Sequence, residues 1–270
     1  MFELDLSGQE PVITEGHTSK GNQPKWRVKD RWYKADHMGY EALAEVLVSR
    51  LLARSGLKNH VSYEPVRIRY GNGTRPGCKS DNFKQQDEML VPLDRLYRSF
   101  RGQSLVKKLA GITDVKEQIR FTVAFVEETT HLAGFGRYLG TLLELDAFIL
   151  NEDRHTNNIA VLRNEESGQY RLCPIFDNGL AFLSDLNDYP LNADLYDCIG
   201  RVEAKPFSRD FITQMEAATD LYGSDLHFDL TRRDADGLFD GLEEYYPVEI
   251  LNRARAVLAE QMRKFPYLFR

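Results

Sequence analysis

The chain has 270 residues, 42% of them apolar and 28% charged, which is enough to bury one large core or two smaller ones. Its formal charge of −6 argues against a surface that coats nucleic acid, with residues 95–108 as one candidate basic patch. No apolar run is long enough to span a membrane, and no signal peptide opens the chain. Cys78, Cys173 and Cys198 have neither metal-ligand spacing nor an even number for disulfides, so a reducing, cytoplasmic setting is expected, with secretion left open. There is no internal repeat and no low-complexity segment.

In chain order, the first fifteen residues, with scattered charges and Pro11, predict an edge strand and a loose terminus. Residues 18–26 (TSKGNQPKW) are polar and turn-prone, and Gly21 allows a ligand close to backbone N–H groups that could cover phosphates. Neither G-x-G-x-x-G nor G-x-x-x-x-G-K-[ST] occurs, so an ordinary surface turn is the alternative. Residues 32–36 (WYKAD) form a strand-like step that sets Lys34 between apolar and aromatic neighbours, where a lysine suits phosphates rather than bulk water. From 40 to 55, Leu43, Leu47 and Leu51 recur at helical spacing, widened by Val48 and Leu52, which predicts a buried helix ended by Gly56. Glu41 and Glu45 share one face of it, and either could hold Lys34. Residues 61–70 alternate as a strand, Gly71-Asn72-Gly73 breaks it, 74–81 read as irregular, and 88–91 (EMLV) are again strand-like.

The remainder reads as helical over 121–130, 136–150, 207–221, 234–245 and 248–265. Helix 136–150, with Leu139, Leu142, Leu143, Phe148 and Leu150 suited to burial, feeds into Asn151-Glu152-Asp153-Arg154-His155-Thr156-Asn157-Asn158; Asp146 within it reads as a structural hydrogen-bonding group. Two strand-like runs follow, 159–163 and 170–176, joined by the turn-rich 164–169 and ending at Asp177-Asn178-Gly179. This order points to phosphoryl transfer, which asks a protein to align a hydroxyl nucleophile and neutralise phosphate charge. Asp153 can orient a hydroxyl and accept its proton, while Asn158 offers a neutral oxygen and Asp177 a charged one to a hard cation. If the hairpin closes near Ser167 and Gly168, residues 158 and 177 fall opposite each other at its open end. A lone Asp-Arg-His triplet is usually a solvated cap; the added asparagine and the aspartate after a hairpin shift the reading.

At Asn151, Asp153, Arg154, His155, Asn158 and Asp177 the chain resembles the HipA-like serine/threonine kinases, and especially their compact CtkA-like branch. The Asp-Arg-His-x-x-Asn order is also similar to that of phosphatidylinositol kinases, which share the distant protein-kinase-like fold. The resemblance implies an α+β, two-lobed protein-kinase-like fold, with a small mixed N-lobe over 1–95 and a mainly helical C-lobe over 96–270, without the extra N-terminal subdomain of full-length HipA-like proteins.

By that resemblance Asp153 is the catalytic base, Asn158 and Asp177 are magnesium ligands, and His155 contacts the transferred phosphate, with loop shaping as its alternative role. Gly21-Asn22-Gln23-Pro24-Lys25 matches the family's Gly-x-Gln-x-Lys run, which implies that Gly21 and Gln23 lie against the nucleotide and that Thr18 or Ser19 is self-phosphorylated. Lys34 would grip the α- and β-phosphates of ATP, with Glu45 favoured over Glu41 as its partner by the family spacing. Met89, Leu90 and Val91 would lead to the hinge around adenine, or serve only as core strand residues. The implied activity is that of an ATP- and magnesium-dependent serine/threonine protein kinase acting on a protein hydroxyl, with an antitoxin as a candidate partner and neither membrane nor direct nucleic-acid contact. A small-molecule or lipid kinase and an inactive nucleotide-binding regulatory module are the rival readings.

Overall fold

The computed structural model describes residues 3–12, 23–231 and 233–269. In chain order these form strands β1 (Glu3–Asp5), β2 (Lys25–Val28) and β3 (Arg31–Ala35), helix α1 (Glu41–Leu52), and strands β4 (Glu64–Tyr70), β5 (Gly73–Asp81) and β6 (Glu88–Pro92). Helices α2 (Leu93–Arg101), α3 (Leu105–Ala110), α4 (Val115–Thr130) and α5 (Phe135–Ile149) come next, then the hairpin β7 (Ala160–Asn164) and β8 (Tyr170–Leu172). Helices α6 (Leu195–Arg201), α7 (Phe211–Tyr222) and α8 (Val248–Lys264) complete the chain. Two compact units result, one of Met1–Asn82, Asp177–Val202 and His227–Arg270, the other of Phe83–Phe176 and Glu203–Leu226.

The first unit is built on a five-stranded sheet in the order β1-β4-β5-β3-β2, with β1 at the edge as expected and parallel to β4. Leu6, Trp26, Tyr33, Ala35, Val66 and Ile68 bury together as a core cluster of this unit. Helix α1 lies against β3, β4 and β5 and is buried along its whole length except at Arg50. Its N-cap residue, Tyr40, makes no side-chain cap bond; Asp36 accepts from the Ala42 N–H at 2.6 Å instead. Packing dominates over capping here. Leu43, Leu47 and Leu51 are each at most 1% exposed, and each buried leucine contributes roughly 2 kcal/mol against about 1 kcal/mol for a cap.

Two expectations fail in this unit. Residues 74–81 are not irregular: they form most of β5, paired with β4 on one side and β3 on the other. The low strand propensity of Pro76-Gly77 is overridden by tertiary fit. A Cβ on Gly77 would lie 2.5 Å from the Lys34 carbonyl oxygen and 2.6 Å from Ile68 Cδ1, so only glycine fits between the flanking strands. Pro76 lies just past Ala35↔Gly77, the end of the β3 pairing, where a missing N–H is tolerated. The helix expected over 234–245 is only a 3-10 turn at Asp234–Phe239, and Gly241 follows with a φ of 74°.

The second unit has a three-stranded antiparallel sheet, β6-β7-β8, and α2 follows β6 without a loop. Asn164 N–H donates to Gln169 O at 2.8 Å and Gly168 takes a φ of 72°, so the hairpin closes where the turn residues predicted. Helix α4 starts at Val115 rather than at 121 because Asp114 caps it, accepting from the Glu117 N–H at 2.9 Å. Helix α5 packs on α4 and α7. The α5–α7 approach depends on Gly140, where a Cβ would lie 2.2 Å from the Gly223 carbonyl oxygen. The short helices α2, α3 and α6 were not anticipated. Cys78, Cys173 and Cys198 are buried, and among the described residues no helix is long and apolar enough to cross a membrane.

Candidate active site

In the first unit, the register of β3 sets Lys34 opposite Cys78 on β5 and Lys25 on β2. The Lys34 ammonium pairs with Glu45 on α1, and it meets Asp177 Oδ1 at 2.7 Å. The second oxygen of Glu45 accepts from the Asn178 N–H at 2.9 Å. One buried carboxylate therefore ties together a strand, a helix and the turn that carries Asp177. That turn is strained: Asp177 has a φ of 58°, a conformation that costs a non-glycine residue roughly 1 kcal/mol. Burial works against the charge on Lys34, but Asp177 and Glu45 outweigh it and hold the ammonium well above the ordinary lysine range. The Lys34 ammonium also sits 5.4 Å from the centre of the Tyr63 ring.

Glu41 does other work. Its carboxylate accepts from the N–H groups of His37, Met38 and Gly39 at 3.2, 2.7 and 3.0 Å, shaping the turn before α1. Gln23 lies near the same turn as Asp177, because a Cβ on Gly179 would be 3.8 Å from Gln23 Oε1. Lys25 faces this cluster too: burial lowers its pKa, with Asp177 acting in the opposite sense. Gly21 and the self-phosphorylation candidates Thr18 and Ser19 lie outside the described residues.

In the second unit, α5 ends at Leu150 in a left-handed conformation, with φ at 56°, and the loop that follows is built around Asp146. Asp146 is fully buried and accepts from Arg154 Nε at 2.9 Å and from Asn151 Nδ2 at 2.9 Å. Burial pushes the Asp146 carboxyl up, and Arg154 opposes the rise. Arg154 Nη1 donates to the carbonyls of Asn158 at 3.1 Å and Phe176 at 2.9 Å. A single buried guanidinium thus fastens the residue proposed to bind metal and the residue just before Asp177. Sequence reading had given Arg154 no role beyond its place in the motif.

Asp153 sits on this scaffold, its N–H donating to Asn151 Oδ1 at 3.2 Å. Asn158 Nδ2 donates to Asp153 O at 2.9 Å and to Oδ2 at 3.2 Å, so its amide oxygen is the atom left to meet a cation. His155 Nδ1 accepts from the Asn157 N–H at 3.2 Å, which places the ring proton on Nε2, 3.7 Å from Asp153 Oδ2. The loop-shaping role of His155 is thus present, and its other nitrogen faces the carboxylate. Lys205, which sequence reading missed, brings Nζ to 3.6 Å from Asp153 Oδ1. Nothing in the local sequence around 205 signals this, since the contact spans a separate segment of the chain.

On β6, Leu93 N–H donates to Ile159 O at 2.9 Å. Backbone groups alternate along an antiparallel pair, so Val91 and Met89 also aim theirs at β7 while Leu90 aims its N–H and C=O the opposite way. Val91 is buried, and Met89 and Leu90 are half-buried.

No family model matches the chain, and no curated protein matches it. Among solved structures it is similar to the crystal structure of a Helicobacter pylori proinflammatory kinase, CtkA, with a TM-score of 0.63 and 15% identity over 97% of this chain and 94% of that one. The fold is kinase-like. The α+β kinase fold implied by the motif resemblance is the fold found, and the structural likeness points to the CtkA-like relative that the motif indicated.

Proposed function

We propose that the protein is a kinase that transfers the γ-phosphoryl group of ATP to a serine or threonine hydroxyl of a protein, with Mg²⁺ bound. The observation that carries this reading is the Lys34–Glu45–Asp177 triad: a lysine kept charged between a helix glutamate and the carboxylate after a hairpin, on a kinase-like fold. Residues 1–95 would clamp the nucleotide and 96–270 would carry the base.

In this reading Lys34, oriented by Glu45, meets the α- and β-phosphates, and Leu90 is the residue of β6 whose backbone suits adenine. Asn158 and Asp177 are hard oxygen donors of the kind Mg²⁺ takes, and they would hold it. The bound ion supplies charge neutralisation at the phosphate oxygens. Asp153 accepts the hydroxyl proton while the acceptor oxygen bonds to the γ-phosphorus. The bond from that phosphorus to the β,γ-bridging oxygen breaks, and its electron pair leaves on ADP. A phosphate on Thr18 or Ser19 would place a dianion in the nucleotide loop and weaken ATP binding, which phosphopeptide mapping after incubation with ATP would detect.

The acceptor class is tested by incubating the protein with labelled ATP, Mg²⁺ and a host-cell lysate, beside a panel of sugars, aminoglycosides and phosphoinositides. Label on protein serine or threonine is expected. Label confined to lipid or small molecules would replace the protein acceptor, and ATP binding without transfer would make the chain a regulatory module.

A further inference from the structure

Asp153 is faced by nitrogen on both of its oxygens. Oδ2 accepts from Asn158 Nδ2 at 3.2 Å and has His155 Nε2 at 3.7 Å, while Lys205 Nζ lies 3.6 Å from Oδ1. Within 151–158 the sole lysine or arginine is Arg154, whose side chain is 1% exposed and bonded to Asp146 and two carbonyls. That guanidinium cannot turn toward a substrate. The ammonium beside the base, that of Lys205, comes from another part of the chain.

Its placement is built, not incidental. Gln214 on α7 is completely buried, and its side chain bonds three backbone groups of the Lys205 turn. Its Nε2 donates to Lys205 O at 2.9 Å, and its Oε1 accepts from the N–H groups of Phe207 and Ser208, both at 3.3 Å. Ala204 N–H closes the turn on Arg209 O at 2.8 Å. Ala204 and Phe207 are buried on either side, so the backbone is anchored while the Lys205 side chain remains 43% exposed. Helix α7 in turn packs on α5, the helix that leads into the Asp153 loop. Base and lysine are thus fixed by one pair of helices.

The distance matters as well. A committed ammonium–carboxylate hydrogen bond is about 2.7–2.9 Å long, so at 3.6 Å the ammonium is near the carboxylate without being locked onto it. Its N–H donors are therefore left for a phosphoryl oxygen that arrives beside the pair. In phosphoryl transfer, charge spreads over the three non-bridging oxygens of the moving group, which has to pass beside the base that aligns the hydroxyl. The four-carbon stem of a lysine at this spot lets its ammonium follow those oxygens from ATP to product.

We propose that Lys205 is a catalytic residue that contacts the transferred phosphoryl group, and that Gln214 is the positioning residue that holds it there. This rests on the kinase reading above. The bonds made and broken are those already given; Lys205 takes no part in the proton transfer and offers N–H donors to the non-bridging oxygens.

The test compares wild type with Lys205→Met, Lys205→Arg and Asp153→Asn, using labelled ATP, Mg²⁺ and the acceptor found in the lysate. Lys205→Met should lower kcat roughly 10²-fold with KM for ATP and the melting temperature near wild type, and Lys205→Arg should restore most of the rate. Wild-type kcat in Lys205→Met, with Asp153→Asn inactive, would overturn the Lys205 assignment and leave the kinase reading standing. A fall in Lys205→Met that Lys205→Arg does not relieve, or that appears only in KM, would also overturn it. A wild-type protein that transfers nothing would remove the kinase reading, and this assignment with it.

Discussion

Each unit holds an ion pair at its candidate site, and the two pairs do opposite jobs. In the first, Lys34 and Asp177 have side chains 14% and 37% exposed, so both charges are within reach of a ligand. In the second, Arg154 and Asp146 are 1% and 0% exposed, and every contact they make is to the protein itself. One pair is chemistry in waiting; the other is a frame for the loop that carries an adjacent carboxylate, Asp153. An ion pair in a site need not be its reactive part, and exposure tells the two apart.

The largest expected effect comes from breaking the frame. Arg154→Met leaves Asp146 buried without its cation and two carbonyls without a donor, so denaturant unfolding should show a loss of about 3–5 kcal/mol. Adding Asp146→Leu should recover part of that stability without recovering activity, because the bonds to Asn158 and Phe176 stay lost. Stability unchanged in Arg154→Met would erase the distinction drawn between the pairs. Next comes Lys34→Met, with phosphoryl transfer falling on the order of 10²-fold and a smaller change in melting than Arg154→Met gives. Glu45→Gln should be milder still, roughly 10-fold in rate, since a neutral side chain can still accept from the Asn178 N–H. A Glu45→Gln protein slower than Lys34→Met would make the glutamate more than an orienting group.

The smallest effect concerns Glu88 on β6, whose carboxylate takes a hydrogen bond from Arg171 Nη2 at 2.7 Å. That bond holds its pKa below the ordinary value of 4.5. A lowered carboxylate adds stability that is present above the unfolded value and is lost as pH falls through the folded one. Wild type should therefore lose stability below about pH 4.5 by this route, to an extent of no more than about 1 kcal/mol, and Glu88→Gln should flatten that part of the acid titration. An unchanged acid profile in Glu88→Gln would show that the pair is immaterial.

What could be read from the sequence follows from how far apart the interacting residues lie. The Asp153 loop was legible because residues 146–158 build it locally, and the hairpin was legible from its turn residues. Helix α1 was legible from the Leu43, Leu47 and Leu51 stripe. Strand β5 was not, since Gly77 is chosen for the crowding imposed by Lys34 and Ile68 rather than for strand propensity. The helix over 234–245 failed because apolar spacing carries no warning of the left-handed turn at Gly241. Lys205 was invisible for a related reason: its partner is 52 residues away and its support comes from Gln214, neither of which leaves a periodic signal.

The most direct test of the central claim is a single-turnover measurement with purified wild type and Asp153→Asn at saturating labelled ATP and Mg²⁺, with one common protein acceptor. The account predicts a fall in the transfer rate of about 10³-fold in Asp153→Asn, with ATP binding and melting temperature unchanged. Transfer at the wild-type rate by Asp153→Asn would contradict it.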